Sequence, residues 1–145
     1  MTRATLMMVG DLILDEPQPD SYFEPSRALL KTADVLIGHV EVPHTLRGSE
    51  QSTDVPAPPA HPDHLQALAR AGFHIATLAG NHIADVGPQG IADTVATLQG
   101  LGLQTTGAGA TLAAAREPAR VTARGVRVGV LSYNCVGPRE SWATS

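Results

Sequence analysis

Apolar runs of strand length alternate along the chain with segments of helical period. Runs at residues 4–10, 34–40, 74–79 and 126–133, with a shorter piece at 103–105, are rich in Val, Ile and Leu. They lack regular polar alternation, which is the pattern of strands covered on both faces. Between them the spacing predicts helices at 25–32, 62–71, 88–101 and 111–116. The second puts Leu65, Leu68 and Ala69 on one side and meets Gly72 as a stop. The third repeats Ile91, Val95 and Leu98 at three- to four-residue intervals between Pro88, suited to a first turn, and the exit at Gly102. The order β-α-β-α-β-α-β argues for an α/β fold with a largely parallel sheet. Near the end, residues 120–123, Arg124-Gly125 and residues 126–131 read as a β-hairpin. Residues 42–59 show no period and are long for a connection inside a compact domain, as loops that border a site often are.

A chain of 145 residues fits one domain, 1–145, with enough length to bury a core. Its formal net charge of -4, with no basic run and 3% aromatic residues, leaves no electrostatic footprint or stacking platform for nucleic acid. Cys135 is the only cysteine, which excludes a zinc ribbon and an internal disulfide and suits a reducing, cytoplasmic setting. No stretch approaches the roughly 20 apolar residues of a membrane span. The opening run leads into Gly10-Asp11 as a strand would, without the layout of a signal peptide.

Chemistry gathers at the ends of the apolar runs. Asp11 follows the first, Glu41 the second, and Asn81-His82 the third, with Asp85 one turn further on. Ligands of open α/β sheets bind outside the carboxyl ends of the strands, so a parallel sheet would bring these residues to one edge. Carboxylates, an amide and an imidazole form a mixed oxygen and nitrogen set suited to Mn, Fe or Zn. Such an ion activates bound water and polarises a phosphoryl or carbonyl oxygen. Each residue also has a local alternative: Asp11 as a turn cap, Glu41 as a solvated residue before Pro43, Asn81 bonded to its own backbone, Asp85 as a helix cap. The coincidence of three strand ends favours the site over these. His39 reads as a residue behind the site or a core histidine, His74 as structural, and His44, His61 and His64 mostly as solvated loop residues. Gly107-Ala108-Gly109-Ala110 is a weak phosphate-cradle signal lacking a P-loop lysine. Asn134, after the last long run, falls on the same expected edge.

Five segments carry a resemblance to a known family: Val9-Gly10-Asp11-Leu12-Ile13-Leu14, Val40-Glu41-Val42-Pro43, Leu78-Ala79-Gly80-Asn81-His82-Ile83-Ala84-Asp85-Val86-Gly87, Thr106-Gly107-Ala108-Gly109 and Val128-Gly129-Val130-Leu131-Ser132-Tyr133. Together they resemble the CapA family, named for poly-gamma-glutamate capsule synthesis and similar to calcineurin-like metallophosphoesterases. The resemblance implies a layered α/β/β/α sandwich with two divalent metal ions in a complete site. It makes Asp11, Glu41 and Asn81 metal ligands, His82 the general acid or transition-state stabiliser, and Asp85 the residue that orients it. Two departures stand out. Leu12 and Ile13 follow Asp11 where the broader pattern has Asp-x-His, and His39 stands where CapA sequences more often have Asn. All six histidines lie at or before His82, so the chain resembles the N-terminal half of such a domain, a truncated sandwich. The implied function is a metal-dependent hydrolase acting on a phosphoester or related bond, with a small-molecule or polymer-related substrate. The alternative is a non-catalytic subunit or docking module of a polymer-synthesis complex. An exposed sheet edge would also leave room for a homo-oligomer.

Overall fold

The computed structural model describes residues 2–48 and 57–136. Its main sheet consists of β1 (Leu6–Leu12), β2 (Val35–Val40), β3 (Ile75–Thr77) and β4 (Gln104–Thr106). The four run parallel in that spatial order. Helices lie on the crossovers: α1 (Arg27–Leu30), α2 (Gln66–Ala71) and α3 (Gly87–Gly100). After β4 come α4 (Leu112–Ala115), β5 (Ala119–Ala123) and β6 (Val126–Val130), the last two forming a separate antiparallel ribbon. Arg124 and Gly125 both have positive φ, 48° and 75°, the two-residue hairpin turn whose twist matches its strands.

Two apolar layers follow from strand alternation. Leu36, Val40, Ala76 and Leu78 face the helices and pack with Leu65, Leu68, Phe73 and Leu98. Val35, Ile37 and Ile75 face the other way, against Ala119 and the ribbon residues Val121, Ala123, Val128 and Val130. Helices, parallel sheet and ribbon thus stack in that order. β2 and β3 are covered on both faces and read as continuous apolar runs for that reason.

Several expectations are corrected. The 126–133 run belongs to the ribbon, not to the parallel sheet, and its strand ends at Val130. β1 is an edge strand with one face open: Leu6 is 46% exposed and Met8 70%, because the ribbon's apolar contacts are to β2 and β3. The helix expected at 25–32 shortens to α1, and the start of the one at 62–71 is a 3-10 turn, Pro62–Leu65.

His44 is the sharpest correction, being fully buried instead of solvated. Gly90 explains how: a Cβ there would lie 2.3 Å from Val86 Cγ2 and 3.1 Å from Pro43 Cβ, so only a glycine in α3 lets the 42–45 segment lie on the helix. His44 N donates to Thr94 Oγ1 at 2.8 Å, and Thr94 Oγ1 donates to the Gly90 carbonyl at 2.7 Å. Thr45 and Arg47 both bond Asp93 of the same helix. The first part of the long loop is therefore pinned, while residues 49–56 lie outside the described residues. His64 is half-buried, with Nδ1 donating to the Leu14 carbonyl at 2.7 Å, and His61 is exposed. His74 Nδ1 accepts from Leu36 N at 3.1 Å, tying β2 to the entry of β3.

Candidate functional site

Because the strands are parallel, their carboxyl ends share one edge, and the register across it is fixed. Asp11 pairs with His39, His39 with Thr77, and Thr77 with Thr106, one row spanning all four strands. Asp11 lies inside β1, not beyond it, since the strand runs to Leu12 past an irregularity between Val9 and Asp11. Leu12 and Val40, the next pair, pack into the helix-side layer. Alternation therefore turns Asp11 and His39 toward the ribbon side. Glu41 follows β2 directly and is half-buried; Asp11 is exposed.

β3 leads through Leu78 and Ala79 into a tight turn carrying Gly80, Asn81 and His82. His82 Nδ1 lies 2.8 Å from Asp85 Oδ2, with side-chain exposures of 16% and 6%. A carboxylate only accepts, so the proton of this bond sits on Nδ1 and Nε2 is left for the edge. The Asp85 backbone N–H closes the same turn on the His82 carbonyl at 3.0 Å. Asp85 does not cap the helix: the residue preceding α3 is Val86, and no side chain caps that end. Asn81 is half-buried beside this pair.

Two glycines bring the neighbouring loops into contact with this turn. A Cβ on Gly80 would lie 2.8 Å from His39 Nε2, so the imidazole of β2 rests against the turn after β3. Gly107, at φ 95°, stands where a Cβ would be 2.6 Å from the Ala79 nitrogen and 2.8 Å from Ser132 Cβ. Ala79 N donates to Ser132 Oγ at 3.3 Å, and the segment after the ribbon thereby reaches the edge through Ser132. The phosphate-cradle reading of residues 107–110 loses one donor to these contacts, the Gly107 N–H. Gly107 N already donates to the Ala115 carbonyl at 3.0 Å, and both glycines are filled by neighbouring backbone and side chains. Asn134 bonds Val136 locally, donating to its carbonyl and accepting from its N–H.

Sequence reasoning left His39 undecided and missed Thr77 and Ser132. Thr77 Oγ1 lies 3.1 Å from His39 Nδ1 and 3.4 Å from the Gly38 carbonyl. The missed signal was the β2 to β3 register, which strand alternation alone does not supply. Thr106 Oγ1, at the far end of the row, is buried with no hydrogen-bond partner among the described residues.

Among the described residues, no group of three or more His, Cys, Asp or Glu side chains is gathered closely enough to hold a metal ion. By donor type alone the residues of the edge suit one. Asp11, Glu41 and Asn81 offer hard oxygens, His39 and His82 offer imidazole nitrogens, and each imidazole has its Nδ1 already engaged. A surface cleft of about 510 Å³ is lined by Asp20, His64 and Arg70 among others. It is bounded by the Asp20–Arg70 ion pair and holds none of these donors.

A parallel sheet with helices on one face, a β ribbon on the other, and Asp, Glu and Asn-His at its carboxyl edge defines a layered α/β fold of the metallophosphoesterase-like kind. Residues 5–145 match the family model described as bacterial capsule synthesis protein PGA_cap. The chain belongs to that family. It is 50% identical over 86 residues to a probable polyglutamine synthesis accessory protein of Mycobacterium tuberculosis (strain ATCC 25618 / H37Rv), covering 57% of this chain and 23% of that protein. It is 28% identical over 142 residues to the capsule biosynthesis protein CapA of Bacillus anthracis, covering 90% of this chain and 34% of that one. The matched segments thus span only about a quarter to a third of the length of these curated relatives, 23% and 34%. Among the described residues no helix is long and apolar enough to cross a membrane.

Proposed function

We propose that this chain carries part of the active edge of a capsule-synthesis protein. In this reading the edge is a metal-dependent hydrolase site acting on a phosphoester or related bond of a small or polymer-related substrate, in the making of a polyglutamate-type polymer. The observation that supports it most is the part-buried His82–Asp85 pair at 2.8 Å, standing on the same sheet edge as Asp11 and Glu41. Asp85 holds the His82 ring in one orientation and one tautomer, so Nε2 faces the reacting bond. From there His82 protonates a leaving oxygen or stabilises the charge that develops on it, a contribution of about 10²–10⁴ in rate. Asp11, Glu41 and Asn81 would hold a divalent ion, Mn, Fe or Zn, and remaining positions would be filled by water, substrate or protein beyond the described residues. When bound, the ion lowers the pKa of its water and polarises the scissile bond. A single cysteine accommodates a cytoplasmic setting. The test is hydrolysis of bis-p-nitrophenyl phosphate by the full chain with Mn²⁺ or Zn²⁺. His82→Ala should lower kcat by about 100-fold or more at unchanged thermal midpoint; turnover equal to the parent's overturns the reading.

One observation favours a second reading, a non-catalytic docking subunit. Leu6 and Met8 leave an apolar strip open on an edge strand, a surface that pairs readily with another chain or another copy. It predicts no hydrolysis with any metal and a partner lost on Met8→Lys.

A further inference from the structure

We propose that the outer side of β4 is a docking surface for an extended acidic peptide segment of a partner protein, taken up as an additional strand with a carboxylate on Arg120; the inference uses neither the carboxyl edge nor a metal. The first argument is the backbone. β4 is the last strand of the parallel sheet, with β3 on one side only. Gln104 N donates to the His74 carbonyl, and the Thr106 carbonyl accepts from Leu78 N, so the residues on either side of Thr105 spend these groups on β3. Backbone groups alternate sides along a strand, and those of Thr105 therefore point outward. No hydrogen bond among the described residues uses them. An open strand of this kind pairs with an extended segment of another chain.

The second argument is the space beside that strand. A surface cleft of about 470 Å³ is lined by Gln99, Gln104, Thr105, Glu117 and Arg120 among others. The Arg120 guanidinium is little engaged there: it makes one long bond, 3.4 Å, to the Pro118 carbonyl and lies 3.7 Å from Glu117, the two side chains being 68% and 73% exposed. So exposed an ion pair is weak, and an arriving carboxylate that meets the guanidinium at two points replaces it. The third argument is charge. Residues 116–127 hold Arg116, Arg120, Arg124 and Arg127 against one acid, Glu117, in a chain of formal net charge -4. Arg124 is taken up by Asp34, whereas Arg127 stands opposite Thr122 on the exposed face of the ribbon. A local excess of positive charge selects an acidic partner. Residues 99–130 include no aromatic side chain on which a nucleic-acid base could stack, and unpaired peptide groups call for a peptide backbone, not a lipid surface.

The probe is a synthetic peptide alternating Glu and Thr, added to the full chain at low ionic strength and followed by ¹H–¹⁵N spectra and calorimetry. It should shift the Thr105 amide and slow its exchange with solvent. Arg120→Gln should bind it about tenfold more weakly. Glu117→Gln, which frees Arg120 and removes a repelling charge, should bind it about twofold to fivefold more tightly. Thr105→Pro removes the outward N–H at a position where an outer strand tolerates proline, and should lose binding. If that variant fails to fold, the protection of the Thr105 amide and the two charge variants decide. Equal binding by the parent and Arg120→Gln, no protection at Thr105, or equal binding of a Gln-Thr peptide overturns the proposal. So does binding of a γ-linked oligoglutamate, single-stranded DNA or anionic vesicles without binding of the peptide, which would give the arginines to another polyanion. A dimer of the parent that is lost in Thr105→Pro, with no peptide bound, would give the strand to a second copy of this chain and overturn it as well.

Discussion

The buried imidazole of His44 should make this protein unusually sensitive to mild acid. Its Nδ1 donates to the Val42 carbonyl at 3.0 Å, while Nε2 is buried and, among the described residues, has no partner. Burial pushes the group down from 6.5 to about 4; the Val42 carbonyl opposes this, the nearby His64 adds to it slightly and Asp15 offsets a little. The sign follows from proton counting. Between pH 6.5 and 4 the unfolded chain carries the proton on His44 and the folded chain does not, so stability is full above about pH 7 and falls as pH drops through that window. At 1.36 kcal/mol per pH unit the loss reaches about 3 kcal/mol, an upper bound if the segment can open locally. That is a large part of the ~5–15 kcal/mol total of an ordinary domain. The comparison chain is His44→Asn, whose amide can make the same bond to Val42 but does not titrate. Urea unfolding followed by far-UV circular dichroism at several pH values between about 7.5 and 4 gives the difference of differences, in which carboxylate contributions common to both chains cancel. The variant should be weaker by about 1–3 kcal/mol at neutral pH, from the lost volume, yet decline less steeply with acid. Parallel decline of the two chains would refute the reasoning, as would a His44 midpoint near 6.5 by NMR.

Gly107→Ala combines a strained φ of 95° with a methyl group 2.6 Å from the Ala79 nitrogen. It should cost about 2–4 kcal/mol, and a urea midpoint within error of the parent's would show that the loop yields freely. The Asp93 carboxyl is held at about 2, chiefly by the Arg47 guanidinium and then by the Thr45 hydroxyl. Its stabilisation is present above the ordinary value of 3.8 and lost as pH falls toward 2. Asp93→Asn should flatten the thermal-midpoint curve only below about pH 4, and the same flattening at pH 6 would contradict the assignment. Leu98→Ala empties a fully buried site between α3 and the sheet and should cost about 2–5 kcal/mol by chemical denaturation, whereas less than ~1 would mean the core recloses.

The alternation of sheet and helix was legible because β2 and β3 are covered on both faces, and unbroken runs such as Val35-Leu36-Ile37 record that directly. The same kind of run misleads at β1, where apolar character does not say which neighbour covers it, and Leu6 and Met8 stay open. Composition misleads at His44 as well. Its segment looks like a polar loop, and its burial depends on Gly90, which is distant in sequence and offers no side chain. At the edge, the His82 to Asp85 spacing is local and could be read from one turn. The His39–Thr77 contact needs two strands in a given register, which a single strand's pattern does not encode.

The claim that the carboxyl edge holds a divalent ion is tested most directly by the thermal midpoint of the full chain with and without Mn²⁺, beside Asp11→Ala and Asn81→Ala. Binding to the folded state alone stabilises by about 2.7 kcal/mol at a hundredfold excess over Kd. The account predicts a concentration-dependent rise in the parent that both variants lose while matching its metal-free midpoint. No rise in the parent, or an equal rise in all three chains, would contradict it.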